Sequence, residues 1–165
     1  MAFLGKRYVA LVIFYDENKN ILLGKRLSEV LNGKYDSPGG KINPDENVID
    51  GLQREIKEET DISISSENLY KDLSLVVSES KPSIQEYRFV KCEDEDDYYE
   101  LTYEVYIYPF PKEEKALYTE PDKHEEWKFY SKTEAMELEL VPLIKDYFNH
   151  IFLNIDIRVS KNNHK

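Results

Sequence analysis

Three glutamates between residues 55 and 59 have the spacing that most clearly predicts chemistry. Glu55 and Glu59 are four residues apart and Glu58 is three residues from Glu55, so on a helix all three carboxylates project from one face. Like charges at these spacings destabilise a bare helix, which indicates that a cation belongs among them. Carboxylate oxygens suit hard ions such as magnesium, which also accepts ligands from substrate phosphates. The spacing therefore predicts a divalent metal site.

A helix over residues 46–60 is predicted to carry these glutamates. Its apolar residues recur at three- and four-residue spacing, the period of an amphipathic helix. The members of this apolar face are Val48, Ile49, Leu52 and Ile56. Asp45 is the predicted cap of the first turn. Because the apolar face fixes the helix against other elements, the carboxylates are held in place.

Two further residues of this helix have predicted structural consequences. Arg54 can orient Glu58, one turn further on, and its positive charge offsets the crowding of carboxylates. Gly51 lies in the middle of the helix, where glycine costs about 1 kcal/mol relative to alanine. Its presence predicts close packing against another backbone.

Residues 40–62 resemble the signature of the Nudix family, G-x5-E-x7-R-E-U-x-E-E-x-G-U, in which U is a bulky aliphatic residue. Gly40, Glu46 and the Arg54-Glu55 pair stand at the specified positions, and so do the residues after them up to Asp61. Asp61 replaces the second glycine. A glycine just past a helix usually adopts the left-handed conformation, which Asp tolerates at a cost of about 1 kcal/mol. We therefore expect activity to survive the replacement.

The resemblance implies an α/β fold, namely an α/β/α sandwich with a mixed β-sheet and a loop-helix-loop catalytic cassette at residues 39–62. It implies that Glu55, Glu58 and Glu59 bind the metal with help from the Gly40 carbonyl. Mg²⁺ is the implied cofactor, and Mn²⁺ is a possible substitute. Arg54 belongs to the implied catalytic set, although its contribution, like that of Glu46, is mainly structural.

Three flanking stretches resemble the MutT-like branch of the family, which acts on nucleoside triphosphates. They are residues 22–26, 35–41 and 120–127. By this resemblance Arg26, Gly39 and Lys41 contact the substrate. Either Glu120 or Glu125 comes from a loop to join the metal site or to act as general base. Glu55 itself is the alternative general base.

The implied reaction is attack of water on a phosphorus of a diphosphate linkage, assisted by the metal. The leading hypothesis for the substrate is a deoxynucleoside or ribonucleoside triphosphate, including oxidised forms, cleaved to monophosphate and pyrophosphate. The alternative substrates are dinucleotide polyphosphates, ADP-ribose and the mRNA cap. A nucleotide-sensing module without turnover is a further alternative, and Asp61 is the one residue that favours it.

The flanking residues also have purely structural interpretations. Lys41 is equally consistent with an ordinary exposed cation, whereas for Arg26 the contact with phosphate is favoured over that interpretation. Glu120 and Glu125 lie in a very acidic stretch. Trp127 is predicted to lie in the core. For His124, contact with substrate is one interpretation, but a loop histidine is usually exposed to solvent, and exposure is predicted. No spaced histidine pair suggests zinc. The 13 tyrosines offer many stacking surfaces, so no residue is singled out to contact the base.

The composition limits the possible partners. A chain of 165 residues fits one domain, predicted over 1–159, followed by a flexible tail at 160–165. The net charge of -11 disfavours binding to nucleic-acid polymers or to anionic membranes. Cys92 is the only cysteine, which predicts a reducing, cytoplasmic location. The sequence leaves open whether the chain is a monomer or a homodimer.

Strands are predicted from β-branched and aromatic runs, and turns from glycine, proline and polar clusters. The predicted strands are 8–15 and 21–26 as a hairpin, 35–37, 73–80, 87–91, 101–108 and 127–130. Residues 38–40 are predicted as a turn and 93–97 as a solvated acidic loop. Ser131 to Glu134 has capping-box spacing for a helix through Leu138. A last helix from Pro142 is predicted to direct its apolar residues inward, namely Leu143, Ile144, Tyr147, Phe148 and Ile151.

Overall fold

The computed structural model describes residues 3–29, 31–78, 98–112, 115, 120–141, 144, 145 and 148. The strands are β1 Phe3–Tyr15, β2 Ile21–Lys25, β3 Tyr35–Asp36, β4 Gly39–Ile42, β5 Tyr70–Ser78, β6 Tyr98–Pro109 and β7 Lys128–Tyr130. The α-helices are α1 Val48–Thr60 and α2 Lys132–Glu137. The predicted strand 87–91, the acidic loop 93–97, the domain end at 159 and the tail 160–165 lie outside the described residues.

The strands form one mixed sheet. β1 is central, since it pairs parallel with β6 and antiparallel with β2 and β4. β5 pairs antiparallel with β6, while β3 and β7 both pair with β2. The hairpin of β1 and β2 and the mixed sheet are therefore confirmed. Residues 9–15 of β1 are all buried, as expected of a strand covered on both faces of the sheet.

Two hydrophobic clusters lie on opposite faces of the sheet. The first packs Leu11 and Ile13 of β1 beneath α2 and the buried helical residues Ile144 and Phe148. The second packs alternate β1 residues, such as Val12, under the apolar face of α1. Since strand side chains alternate between faces, β1 contributes to both clusters. The predicted α/β/α sandwich is confirmed, and Ile144 and Phe148 point inward as expected; the side chains of residues 143, 147 and 151 lie outside the described part.

Helix α1 begins later than predicted. It starts at Val48, and its cap is Asn47, whose side chain accepts a hydrogen bond from the Asp50 backbone. The prediction of Asp45 as cap was therefore wrong, because Asn47 is an equally good capping residue and lies at the true helix start. Asp61 ends the helix in the left-handed conformation, with φ of 61°. The expected conformation at the signature's missing glycine is thus confirmed.

The segment predicted as a turn at residues 38–40 is the start of a strand. Gly39 and Gly40 pair with Leu11 and Ala10 of β1, so Pro38 is the one residue of the three that lies, with Ser37, in the connection between β3 and β4. A Cβ on Gly39, whose φ is +147°, would collide with the Ala10 carbonyl and the Leu11 backbone. The glycines therefore allow β4 to lie close to β1.

Gly51 allows a close approach of a different kind from the one predicted. A Cβ there would lie 2.8 Å from the side chains of both Ile42 and Glu46, so the neighbours are side chains and not a backbone.

The predicted capping box at Ser131 and Glu134 is confirmed at the start of α2. Among the described residues, no helix is long and apolar enough to cross a membrane.

Candidate active site

Strand β4 and helix α1 bring the two glycines next to the predicted metal ligands. The Gly39 backbone N–H donates a hydrogen bond of 3.3 Å to Oε1 of Glu59. A Cβ on Gly40 would lie 2.7 Å from Oε2 of Glu55. The absence of a side chain at Gly40 therefore leaves the room that the Glu55 carboxylate occupies.

Arg54 connects the carboxylates of the cassette. Its guanidinium lies 2.7 Å from Glu46, 3.1 Å from Glu55 and 3.3 Å from Glu58. It also donates to the Lys41 carbonyl at 3.2 Å. Hydrogen bonding from Arg54 lowers the pKa of Glu46, and the carboxylates raise the pKa of Arg54. The predicted orientation of Glu58 by Arg54 is confirmed, and the same guanidinium holds α1 to the preceding loop and to β4.

The three glutamates differ in exposure. The side chain of Glu58 is 50% exposed, that of Glu55 18% and that of Glu59 only 5%. Burial raises the pKa of Glu55, and it raises the pKa of Glu59 well above its usual value, with Glu55 and Asp36 adding to the effect on Glu59. Oε2 of Glu59 is buried without a hydrogen-bond partner. A buried carboxylate oxygen of this kind has strong affinity for a cation.

The donor chemistry of this surface fits a hard divalent cation. Within the described ranges, no three acidic, histidine or cysteine side chains lie together in a group that could by itself hold a metal ion. The unpartnered Oε2 of Glu59 and the nearby Glu55 carboxylate nevertheless provide the oxygen ligands that magnesium prefers. Glu55, Glu58 and Glu59 are thus the residues that could hold the ion.

Asp36 is a buried acidic residue that sequence reasoning missed. It forms an ion pair of 3.0 Å with Arg26, whose guanidinium also donates to Ser28 at 3.0 Å. Burial raises the pKa of Asp36, although Arg26 counteracts this. The guanidinium of Arg26 is therefore already engaged in holding Asp36 and Ser28, and its predicted contact with phosphate stays a prediction. No spacing in the sequence distinguished Asp36 from an ordinary strand residue.

His124 is buried, and the prediction that it is exposed was wrong. Its backbone forms a bridge with Arg26 at the end of β2, and its ring packs on Trp127 at a centroid distance of 4.7 Å. Burial, together with Arg26 and Lys123, lowers the pKa of His124 to about 4. Trp127 is buried as predicted and donates to the Glu59 carbonyl. Loop composition alone does not reveal that this backbone continues alongside a strand.

The loop glutamates and Lys41 lie in different surroundings. Glu120 forms an ion pair of 3.1 Å with Lys123, and it is among the charges that raise the pKa of Glu59, after burial, Glu55 and Asp36. Glu125 instead lines a cleft with Lys25 and Tyr35. Lys41 is exposed, and strand alternation directs its side chain away from α1, because its neighbour Gly40 faces Glu55. Substrate contact by Lys41 stays a prediction.

We expect Gly40→Ala to reduce activity far more than stability. The new Cβ would meet the mobile end of Glu55 at 2.7 Å, so the carboxylate moves while the backbone stays in place. Displacement of a catalytic group by about 1 Å can cost about 100-fold in kcat. The unfolding free energy should fall by about 1 kcal/mol, the low end of the cost of overpacking, because the new Cβ meets the end of a side chain and not a backbone. Steady-state kinetics and thermal melts measure the two effects. Wild-type kcat in the variant would show that the position of Glu55 is unimportant.

Comparison with known proteins identifies the family. A family model described as the NUDIX domain matches residues 5–151. The chain therefore belongs to the Nudix hydrolase family, as its signature predicted. The structure of the MutT NUDIX hydrolase from Burkholderia pseudomallei is similar, with a TM-score of 0.63, 20% sequence identity and coverage of 88% of this chain and 98% of that one. At this identity the likeness supports the fold alone.

Two curated relatives share part of the sequence. The human 8-oxo-dGDP phosphatase NUDT18 is 34% identical over 76 residues, which cover 46% of this chain and 22% of the human protein. The 8-oxo-dGTP diphosphatase of Buchnera aphidicola is 33% identical over 75 residues, covering 42% of this chain and 59% of that protein. The chain thus spans less than two thirds of either relative.

Proposed function

We propose that this chain hydrolyses the diphosphate linkage of a nucleotide in the presence of Mg²⁺, and that its preferred substrate is a nucleoside triphosphate, including oxidised forms. The observation that carries the proposal is the buried, unpartnered Oε2 of Glu59 beside the Glu55 carboxylate. Two crowded carboxylates with raised pKa values are costly for an inert helix and are useful beside a cation.

The residues of the cassette have distinct proposed roles. Glu55, Glu58 and Glu59, with the Gly40 carbonyl, hold the divalent cation. When bound, this cation neutralises charge that develops on the phosphate oxygens and makes the attacking water more acidic. Arg54 keeps Glu55 and Glu58 at fixed positions through its ion pairs. Glu59 is held separately, because its Oε1 accepts a hydrogen bond from the Gly39 backbone N–H.

The hydrolytic step needs a base and a leaving group. The water oxygen bonds to one of the two phosphorus atoms, the bond from that phosphorus to the bridging oxygen breaks, and the water proton passes to a carboxylate. We assign Glu120 this role in preference to Glu125, since Glu120 lies close enough to Glu59 to influence it electrostatically. Glu125 lies in the cleft beside Lys25 and Tyr35.

The proposed preference for oxidised nucleotides is supported by the two partial relatives, whose names refer to 8-oxo-dGDP and 8-oxo-dGTP. Since one name refers to a diphosphate and the other to a triphosphate, both belong in any test. Arg26 and Lys41 remain the proposed cationic contacts for the phosphate chain, and Gly39 is the proposed backbone contact.

A substrate panel tests this proposal. The pure protein is incubated with Mg²⁺ or Mn²⁺ and with normal and oxidised nucleoside di- and triphosphates, dinucleotide polyphosphates, ADP-ribose and capped RNA. The proposal expects a triphosphate to give monophosphate and pyrophosphate, with no turnover in EDTA. If ADP-ribose or a dinucleotide polyphosphate is cleaved in preference to the triphosphates, the proposed triphosphate substrate is wrong. Nucleotide binding with no turnover of any compound would favour a sensor.

A further inference from the structure

Two aromatic residues of the 120–127 loop, Trp127 and His124, lie next to Glu59. The indole N–H of Trp127 donates to the Glu59 carbonyl at 3.3 Å. The imidazole of His124 lies against that indole, with an angle of 33° between the rings. The loop therefore contacts the backbone of Glu59 through Trp127 and approaches the carboxylate of Glu59 through His124.

The Glu59 carboxylate and His124 face each other as unsatisfied polar groups. Oε1 of Glu59 accepts from the Gly39 N–H, but Oε2 has no hydrogen-bond partner among the described residues. Nδ1 and Nε2 of His124 also have none there, and Nδ1 lies 3.8 Å from Oε2. Buried polar atoms nearly always have a partner. Facing each other, these two groups can satisfy one another after a small rotation of the imidazole.

The backbone around His124 fixes the site of the imidazole. The Glu125 N–H donates to the Lys25 carbonyl at 2.9 Å, and the His124 N–H donates to the Glu120 carbonyl at 3.3 Å. The bond to Lys25 and the bridge to Arg26 attach the loop to the end of β2, and the bond to Glu120 fixes the turn of the loop that precedes His124. The pairing with β2 thus holds the His124 backbone beside Glu59. The contact with the Trp127 indole restricts the imidazole, so that rotation within its present position is the movement left to it.

We propose that His124 is a positioning residue that donates its Nδ1–H to Oε2 of Glu59 and fixes the carboxylate for cation binding. Each carboxylate oxygen has two lone pairs, so bonds from Gly39 and His124 leave one on each oxygen for the ion. This inference rests on the proposed function, because it takes Glu59 as a metal ligand. It assigns His124 no contact with substrate or water.

Two substitutions separate hydrogen bonding from ring packing. His124→Asn retains a donor near the position of Nδ1 but loses the ring, whereas His124→Phe retains a ring against Trp127 but loses the donor. Mn²⁺ binding is measured by calorimetry on the full chain without substrate, and kcat and KM are measured on the best nucleotide. Thermal melts verify folding. His124→Leu is a second donor-free variant for use where the phenylalanine is not accommodated.

The proposal expects the donor-free variants to lose about 10- to 100-fold in Mn²⁺ affinity and in kcat, as is typical when a partner of a metal ligand is removed. KM at saturating metal should stay near the wild-type value, and His124→Asn should recover most of both losses. The opposite ranking, with His124→Phe like wild type and His124→Asn impaired, would assign His124 to packing alone.

The outcomes also separate this inference from the proposed function. If the wild type binds Mn²⁺ in a His124-dependent way but hydrolyses no nucleotide, the positioning role stands and the proposed hydrolysis is wrong. If the wild type hydrolyses nucleotides and all three variants match it in affinity and kcat, hydrolysis stands and the positioning role is wrong. Absence of Mn²⁺ binding by the wild type would overturn both.

Discussion

Glu59→Gln is expected to lower kcat by about a thousandfold or more and, at the same time, to stabilise the metal-free protein. The loss of a charged ligand removes several kcal/mol of transition-state stabilisation, and each 1.4 kcal/mol is worth about tenfold in rate. The gain in stability arises because Glu59 is buried beside Glu55 and Asp36, which disfavour its charge. Glutamine keeps the oxygen that accepts from Gly39, and its amide can donate to Nδ1 of His124 once the neutral imidazole carries its proton on Nε2 instead.

Thermal melts in EDTA measure this gain free of any stabilisation by bound metal. A gain of 1 kcal/mol corresponds to a rise in Tm of about 2–4 °C for a chain of this size. Glu67→Gln is the matched control, because Glu67 is an exposed glutamate outside the cassette, and it should change neither kcat nor Tm. A Glu59→Gln variant with lower stability and wild-type kcat would mean that Glu59 is a structural residue.

Arg54→Lys has the second largest expected effect, and here activity and stability fall together. A lysine keeps the charge but lacks the planar fork that contacts Glu46, Glu55 and Glu58 at once. The released carboxylates repel each other and move from their positions. We expect this displacement to lower kcat by about 100-fold. Loss of the contacts to Glu46 and to the Lys41 carbonyl should cost about 1–2 kcal/mol of unfolding free energy.

Kinetics and urea denaturation check both effects of Arg54→Lys. Lys57→Gln is its control, because Lys57 is an exposed cation on the same helix. Lys57 forms an ion pair with Asp61 at 3.0 Å, and the loss of an exposed i,i+4 pair should cost about 0.5 kcal/mol. If Arg54→Lys keeps the wild-type kcat, charge alone is sufficient and the guanidinium geometry has no role in orienting the glutamates.

Several features that depend on local spacing were predictable from the sequence, although the cap of α1 at Asn47 was not, because Asp45 is an equally good capping residue. The periodic apolar residues of α1, the i,i+4 contact from Arg54 to Glu58 and the capping box at Ser131 all depend on residues within a turn or two of each other. Asp61 in the left-handed conformation belongs to the same group, because helix geometry places it just past the last turn. Family resemblance added the sandwich architecture, which local spacing does not determine.

Features that depend on contacts between distant segments were not predictable. His124 is buried because its backbone pairs with Arg26, nearly a hundred residues earlier in the chain, and nothing in its own neighbourhood indicates this. Asp36 is buried because Arg26 compensates its charge. The different surroundings of Glu120, which pairs with Lys123, and of Glu125, which lines a cleft beside Lys25, likewise depend on how the loop folds. In each case a contact between separate segments of the chain determines the surroundings of the side chain, and the residue types next to it in the sequence do not reveal that contact.

Cation binding by the three glutamates is tested most directly by titrating Mn²⁺ into the nucleotide-free protein and following the ion by electron paramagnetic resonance. This measurement does not depend on the choice of substrate. We expect the wild type to bind Mn²⁺ with displacement by excess Mg²⁺, and Glu55→Gln, Glu58→Gln and Glu59→Gln each to weaken binding while Glu67→Gln does not. Equal Mn²⁺ affinity in the wild type and in all three cassette variants would contradict the assignment of this site.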